Sequence, residues 1–355
     1  MRQVMADYLL LYCRSGFEKE TAAEILARTR AQNIEGYIRT EPDSGYVLFH
    51  PHEPADLFSR LPERITFKSL MFPRQWVFCQ SPTLVLPEKD RLTPLLDAIS
   101  LMGTRFAGVW LETADTNEAK TLATFNRKFL PLLEKGLRSR HWIVPGQGRH
   151  LHVFLMDSRR IHLGWSPVGN ASLWPMGIPR LRFPASAPSR STLKLEEAFL
   201  FFVEKPEQEL RAGMTAVDLG AAPGGWTWQL VRRHLRTTAI DNASLQADLL
   251  ESGLVEHLRV DGFRYQPKRP VDWLVCDMVE QPIRIAGRIT DWVVAGWCQK
   301  AVFNLKLPMK KRYEEVLRCR NVMTERLIRE GIDFDLAFKQ LYHDREEITG
   351  YLCRR

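Results

Sequence analysis

The stretch Asp218-Leu219-Gly220-Ala221-Ala222-Pro223-Gly224-Gly225-Trp226 constrains this 355-residue chain more than any other. It continues the apolar run Thr215 to Leu219 and leads into a helical pattern, so it reads as a strand, a tight turn and a helix start. Glycine adopts backbone conformations closed to other residues and lets the chain come close to a ligand. A helix start leaves backbone N–H groups free to face that ligand. Asp218 stands inside the strand, where a carboxylate needs a partner.

Further strand candidates follow at Thr237 to Ile240, His257 to Val260, Trp273 to Cys276, Ala301 to Leu305 and Ile348 to Leu352. Helical patterns separate them, which predicts a doubly wound, mainly parallel α/β sheet over 189–355. Ligands bind such a sheet outside the carboxyl ends of its strands. Asp241, Asp261 and Asp277 are read as ending the second, third and fourth strands, and Asp241 is placed to accept both ribose hydroxyls of an adenosine.

Two ligands compete for the corner. Gly220-x-Ala222-x-x-Gly225 with an acid about 20 residues on is a variant dinucleotide fingerprint. Against NAD, alanine and proline stand where a pyrophosphate needs the second glycine, and Asp218 is left unexplained. A carboxylate at that point suits a ligand carrying an ammonium group, so S-adenosylmethionine is the expected cofactor. Its contacts are expected from Ser189, Asp218, Gly220, Ala222, Pro223, Gly224, Gly225, Trp226, Asp241, Asp261 and Asp277.

At this length two or three domains are expected. Tyr8 to Tyr12 reads as a strand, Glu18 to Arg30 as a helix, and Gly36 to Arg39 with Tyr46 to Phe49 as a hairpin. A short helix over Pro54 to Leu61 and a β-rich stretch over Ile65 to Gln80 complete a βαββαβ pattern, a ferredoxin-like module over 1–82. A second α+β unit over 83–166 has helices at Leu92 to Met102 and Asn117 to Leu133, a strand at Arg105 to Glu112, and a hairpin from Leu151 to Trp165. Five prolines between Pro167 and Pro188 mark a linker or a wrapping segment.

The glycine corner resembles the first motif of the FtsJ-like ribose 2′-O-methyltransferases. That resemblance implies a Lys-Asp-Lys-Glu tetrad, and each member has a match in family order. Ser189 to Glu197 supplies Lys194, Val275 to Met278 supplies Asp277, and Phe303 to Pro308 supplies Lys306. Arg345 to Thr349 supplies Glu347, with Glu346 beside it as the alternative. A single lysine or glutamate is ordinarily a solvated surface residue; the joint occurrence at strand ends is what carries weight.

The chemistry fits the set. A ribose 2′-hydroxyl must lose a proton as it attacks a sulfonium methyl group. A lysine serves as that base only when its pKa falls from about 10.4 toward neutrality. Lys306 is the expected base, pushed down by burial and by Lys194, and pushed up and oriented by Asp277. Lys194 and Asp277 position hydroxyl and base, and Glu347 holds Lys194. No metal is required, because the departing thioether is uncharged. Asp277-Met278-Val279-Glu280 stands where amino-group methylation commonly needs Asn-Pro-Pro-aromatic, and no cysteine follows proline as pyrimidine carbon-5 methylation requires.

The N-terminal half, with Leu11 to Glu18 and Ser189 to Phe199, looks like the RlmM family of bacterial methyltransferases. That likeness implies a THUMP-type RNA-binding unit over 83–166. It also implies a cytidine in the peptidyl-transferase region of large-subunit ribosomal RNA, or its precursor, as substrate. Candidate RNA contacts are Arg74, Arg138, Arg140, Arg149, Arg159 and Arg160, with Lys310, Lys311 and Arg312 beside the base. Trp226, Trp228, Phe263 and Tyr265 read as packing residues. The competing reading is a non-catalytic RNA-binding assembly factor, which has no need of two site lysines.

The net charge of +8 favours a polyanionic partner. No apolar run reaches the roughly 18–20 residues that span a bilayer. Residues 1–7 lack the apolar core of a signal peptide. Six cysteines without a Cys-x-x-Cys pair argue against zinc and disulfides. A monomer in the reducing cytoplasm is expected.

Overall fold

The computed structural model describes residues 5–52, 55–146 and 148–355. The chain divides into two compact units, 1–179 and 180–355.

The first unit contains β1 (Tyr8–Tyr12), α1 (Glu18–Arg30), β2 (Gly36–Arg39), β3 (Tyr46–Pro51), α2 (Ala55–Ser59), α3 (Leu61–Arg64) and β4 (Gln75–Cys79). β5 (Leu84–Val85), α4 (Leu92–Met102), β6 (Gly108–Thr113), α5 (Ala123–Ser139), β7 (Arg149–Leu155) and β8 (Arg160–Pro167) complete it. The order β2-β3-β1-β4 is ferredoxin-like, and β4 pairs onward with β8 to continue through β7 to β6. One eight-stranded sheet and the larger of its apolar clusters therefore continue across residue 82.

Three local expectations shift. Pro54 lies outside the described residues, and the single helix expected from it to Leu61 is replaced by the two short helices α2 and α3. Of Ile65 to Gln80, the ladder takes only β4. The helix expected from Asn117 to Leu133 starts after a 3-10 turn and runs through Pro131 to Ser139, because Phe129, Leu133 and Leu137 continue its buried stripe. The start of the proline-rich stretch is anchored to the first unit. The Asn170 side-chain amide bonds the Pro62 and Ile65 carbonyls and the Phe67 N–H, and Trp76 donates to the Asn170 carbonyl over 2.7 Å.

The second unit contains α6 (Thr192–Phe202), α7 (Pro206–Glu209), β9 (Thr215–Leu219), α8 (Gly225–Val231), β10 (Arg236–Ile240) and α9 (Ala247–Glu251). It continues with β11 (Val255–Leu258), β12 (Val271–Cys276), α10 (Pro282–Val294), β13 (Cys298–Lys306), α11 (Arg312–Arg329), β14 (Phe334–Lys339) and β15 (Glu347–Arg354). The sheet order is β11-β10-β9-β12-β13-β15-β14. The first five strands are parallel, and β15 runs antiparallel to both β13 and β14. Reversal at β9 between its two neighbours makes the switch point where ligands bind. β14 was not anticipated from the sequence; it is an edge strand, and Asp335 interrupts its apolar signal.

All six cysteines are unpaired thiols. No described helix is long and apolar enough to cross a membrane.

Candidate active site

Gly220 follows β9 with φ of +79°, a conformation that disfavours any side chain. A Cβ there would stand 2.7 Å from Met278 Cγ and 3.1 Å from the Met278 backbone. Gly224 also has positive φ, and a Cβ on Gly225 would meet the hydroxyls of Ser189 and Ser191. The glycines thus let three segments converge: the turn itself, the residues after Asp277, and the start of α6. Ser189 and Ser191 share a 2.6 Å hydrogen bond, and the Trp226 indole donates to the Ser191 carbonyl over 3.0 Å. The Trp226 side chain is buried in the core and packs the corner.

Asp218 is fully buried in β9. Its Oδ2 accepts from the Thr227 hydroxyl over 2.7 Å, while Oδ1 has no partner. Burial pushes this carboxyl up to about 7; the Thr227 bond opposes that, and Asp277 and Asp241 add to it. An unpartnered buried oxygen beside a glycine turn fits a ligand that brings an ammonium group. Asp241 follows β10, and its two oxygens accept the N–H groups of Ala222 (3.0 Å) and Ala243 (2.8 Å), which ties the second strand end to the corner. Pro223 is exposed at the tip of the turn.

Between pH of about 4 and 7 the folded chain holds a proton on Asp218 that the unfolded chain has lost, so stability from this group falls as pH rises through that window. Asp218→Asn removes the penalty. Thermal denaturation of this variant is expected to show a higher Tm than the parent above pH 7, shrinking to no difference by pH 4. A gain independent of pH would exclude a buried, proton-holding Asp218.

Asp261 departs from its expected place. β11 ends with its partner β10, at Leu258 opposite Ile240, so Asp261 lies three residues beyond the strand. It is exposed and caps a turn, its Oδ1 accepting the Phe263 N–H over 2.8 Å.

The four expected tetrad residues converge. Lys194 projects from the first turn of α6, Asp277 follows β12, and Lys306 on β13 stands opposite Glu347 on β15. Lys306 Nζ lies 3.0 Å from Asp277 Oδ1 and pairs with Glu347 Oε2. Lys194 Nζ lies 3.5 Å from Asp277 Oδ2 and pairs with Glu347 Oε1. Two ammoniums and two carboxylates form a closed ring at the carboxyl edge of the sheet. Glu347 is buried within it, whereas Glu346 is exposed and pairs with Arg312.

The electrostatics differ from the expectation in one respect. Burial pushes Lys306 down, but Asp277 and Glu347 outweigh it and hold Lys306 above the ordinary lysine value. The sequence pattern assigns Glu347 to Lys194 alone; in the folded sheet it touches both lysines. Burial likewise pushes Glu347 up, and the two lysines hold it below the usual carboxylate range.

Sequence reasoning missed the rung two steps along the same ladder and on the same face, Asn304 opposite Thr349. Their period-2 spacing from Lys306 and Glu347 was the available signal, since alternate residues of a strand share a face. The Asn304 amide donates to Asp277 Oδ1 over 3.0 Å.

Among the expected RNA contacts, Arg74 is buried and pairs with Asp115 at 3.2 Å, so it stabilises the first unit. The Arg149 guanidinium sits 3.9 Å over the Trp165 ring, and Arg140 lies 5.8 Å from Trp142. Arg159 bonds the Leu86 carbonyl and Arg160 pairs with Asp157. Arg138, Lys310 and Lys311 are exposed.

A Rossmann-like sheet with this glycine corner and this Lys-Asp-Lys-Glu ring defines an FtsJ-like methyltransferase, and the FtsJ-like methyltransferase family model matches residues 187–333. The RlmM ferredoxin-like domain model matches 5–77, and the model for the N-terminal part of ribosomal RNA large subunit methyltransferase M matches 90–167. The chain belongs to the ribosomal RNA large subunit methyltransferase M family. It is 57% identical to the family member of Methylococcus capsulatus over 97% of each chain. It is 49% identical to that of Thauera aminoaromatica, over 97% of this chain and 95% of the relative. With that of Stutzerimonas stutzeri it shares 48% identity over 98% and 99%.

Proposed function

We propose that this chain methylates the 2′-oxygen of a cytidine ribose in the peptidyl-transferase region of large-subunit ribosomal RNA, or of its precursor. The observation that carries this reading is the closed ring of Lys194, Asp277, Lys306 and Glu347 beside the glycine corner. The names of the relatives support ribosomal RNA as substrate.

The methyl donor is S-adenosylmethionine, which supplies an electrophilic methyl group on a sulfonium. Asp218 Oδ1 would hold its ammonium, Asp241 its ribose, and the Gly220–Gly225 turn would leave room for it. Lys306 Nζ accepts the 2′-hydroxyl proton as the oxygen takes the methyl group. Asp277 and Glu347 keep Nζ aimed, and Lys194 balances the charge that Glu347 brings. Asp277 and Glu347 raise the proton affinity of Lys306, so transfer is expected to speed up as pH rises. The protein works as a cytoplasmic monomer. The first unit, including its THUMP-like residues 83–166, adds a second RNA contact that selects one site in a long transcript.

The test uses ribosomal RNA from a strain lacking the gene, the purified chain and labelled donor, followed by alkaline hydrolysis. A blocked 2′-oxygen cannot assist cleavage, so the label is expected in an alkali-resistant dinucleotide with cytidine on its 5′ side. Label recovered as a modified base or an ordinary mononucleotide would refute ribose methylation.

A further inference from the structure

Two residues compete for one oxygen at the centre of the site. Asn304 and Lys306 lie on the same face of β13, and Asn304 Nδ2 and Lys306 Nζ each stand 3.0 Å from Oδ1 of Asp277. A carboxylate at this position accepts, so the Asn304 amide must turn its NH2 toward Asp277 and its oxygen toward Thr349. Thr349 Oγ1 lies 2.8 Å from Asn304 Oδ1 and donates to it.

A hydroxyl has a single proton, and Thr349 has given its own away. Asp344 nevertheless places both carboxyl oxygens 3.0 Å from Thr349 Oγ1. The contact is a hydrogen bond only if Asp344 holds the proton. Its Oδ2 also accepts the Leu341 N–H over 2.9 Å. Asn304, Thr349 and Asp344 are all fully buried. Burial and the neighbouring Glu347 push the Asp344 carboxyl well above its usual range, in keeping with a protonated acid. The result is a one-way file of donors: Asp344 to Thr349, Thr349 to Asn304, Asn304 to Asp277.

We propose that Asn304, oriented by Thr349 and Asp344, is a positioning residue for methyl transfer that draws charge off Asp277 Oδ1 and so loosens this oxygen's hold on the Lys306 proton. The other groups acting on Lys306 are Glu347 from β15, Cys276 at the end of β12 and, across the two carboxylates, Lys194 from α6. Glu197, paired with His343, acts on Asp344 instead. None of these shares Oδ1 of Asp277, so Asn304 alone of the groups named here modulates that contact.

The inference rests on Lys306 being the base, and the experiment separates the two. Single-turnover transfer to ribosomal RNA is followed against pH, up to about pH 10, for the parent, Thr349→Val, Thr349→Ser and Lys306→Ala. Thr349→Val keeps the shape but removes the hydroxyl that orients Asn304. Its rising limb is expected to move up by about one pH unit, read as about a tenfold lower rate at each pH along the limb. KM for donor and RNA stays at the parent value, and Thr349→Ser returns the limb to its parent position. A parental profile for Thr349→Val, a raised KM in place of the lower rate, or a loss that Thr349→Ser does not recover would overturn the positioning role. Full activity of Lys306→Ala would instead remove the base, whatever Thr349→Val does.

Discussion

Replacing Lys306 by alanine is expected to lower methyl transfer by about 10²–10⁴-fold, the range that removal of a general base commands. The affinity for S-adenosylmethionine should stay within about twofold of the parent. The separation follows from the layout: most of the cofactor's expected contacts gather around β9 and β10, whereas Lys306 closes β13 and meets that set only through Asp277. Loss of one ammonium also leaves two carboxylates facing Lys194, and Glu347, buried between the lysines, loses half of its compensation. Calorimetric titration of the donor beside a single-turnover assay reads both quantities. Loss of donor binding would make Lys306 a cofactor residue, and an unchanged rate would exclude it as the base.

The second large effect is expected at Gly220. Gly220→Ala forces a Cβ into a left-handed backbone and against Met278, whose backbone atoms must yield from 3.1 Å. A strained backbone of this kind costs about 1–3 kcal/mol. Met278 directly follows Asp277, so the displacement passes into the ring, and turnover should fall at least about tenfold, more than stability alone explains. Gly287→Ala is the matched control: the same added methyl in α10 meets open space and a helical backbone, and should stabilise by roughly 0.5–1 kcal/mol. Denaturant titration and initial rates on both variants decide the matter. Equal rates for the two would show that the turn does not position Asp277.

Much of this site is legible without coordinates. The corner at Gly220 and the ends of β9, β10 and β12 rest on local chemistry, since glycine conformation and an apolar run closing on an acid are properties of a few adjacent residues. The same holds for α1 and α4, whose limits were anticipated to the residue. What failed was pairing. β11 ends where β10 ends, so Asp261 slid off the strand, and no local pattern reports where a neighbour stops. Arg74 looked like one basic residue among many, yet the fold buries it against Asp115. Residues 1–82 and 83–166 carry separate patterns, but the β4–β8 ladder joins them, a contact between residues almost ninety positions apart.

The glycine corner and the methyl donor come from residue types and spacing, because each depends on chemistry that adjacent residues carry with them, while the order Lys194, Asp277, Lys306, Glu347 is what the resemblance to the FtsJ-like family implies. Tertiary structure decided the charge state of the ring. The antiparallel return of β15 set Glu347 against both lysines, lifted Lys306 where lowering was expected, and set Thr349 behind Asn304, which bonds the oxygen that Lys306 shares. Proton affinities depend on which charges meet across strands about forty residues apart, and only the folded sheet makes them meet.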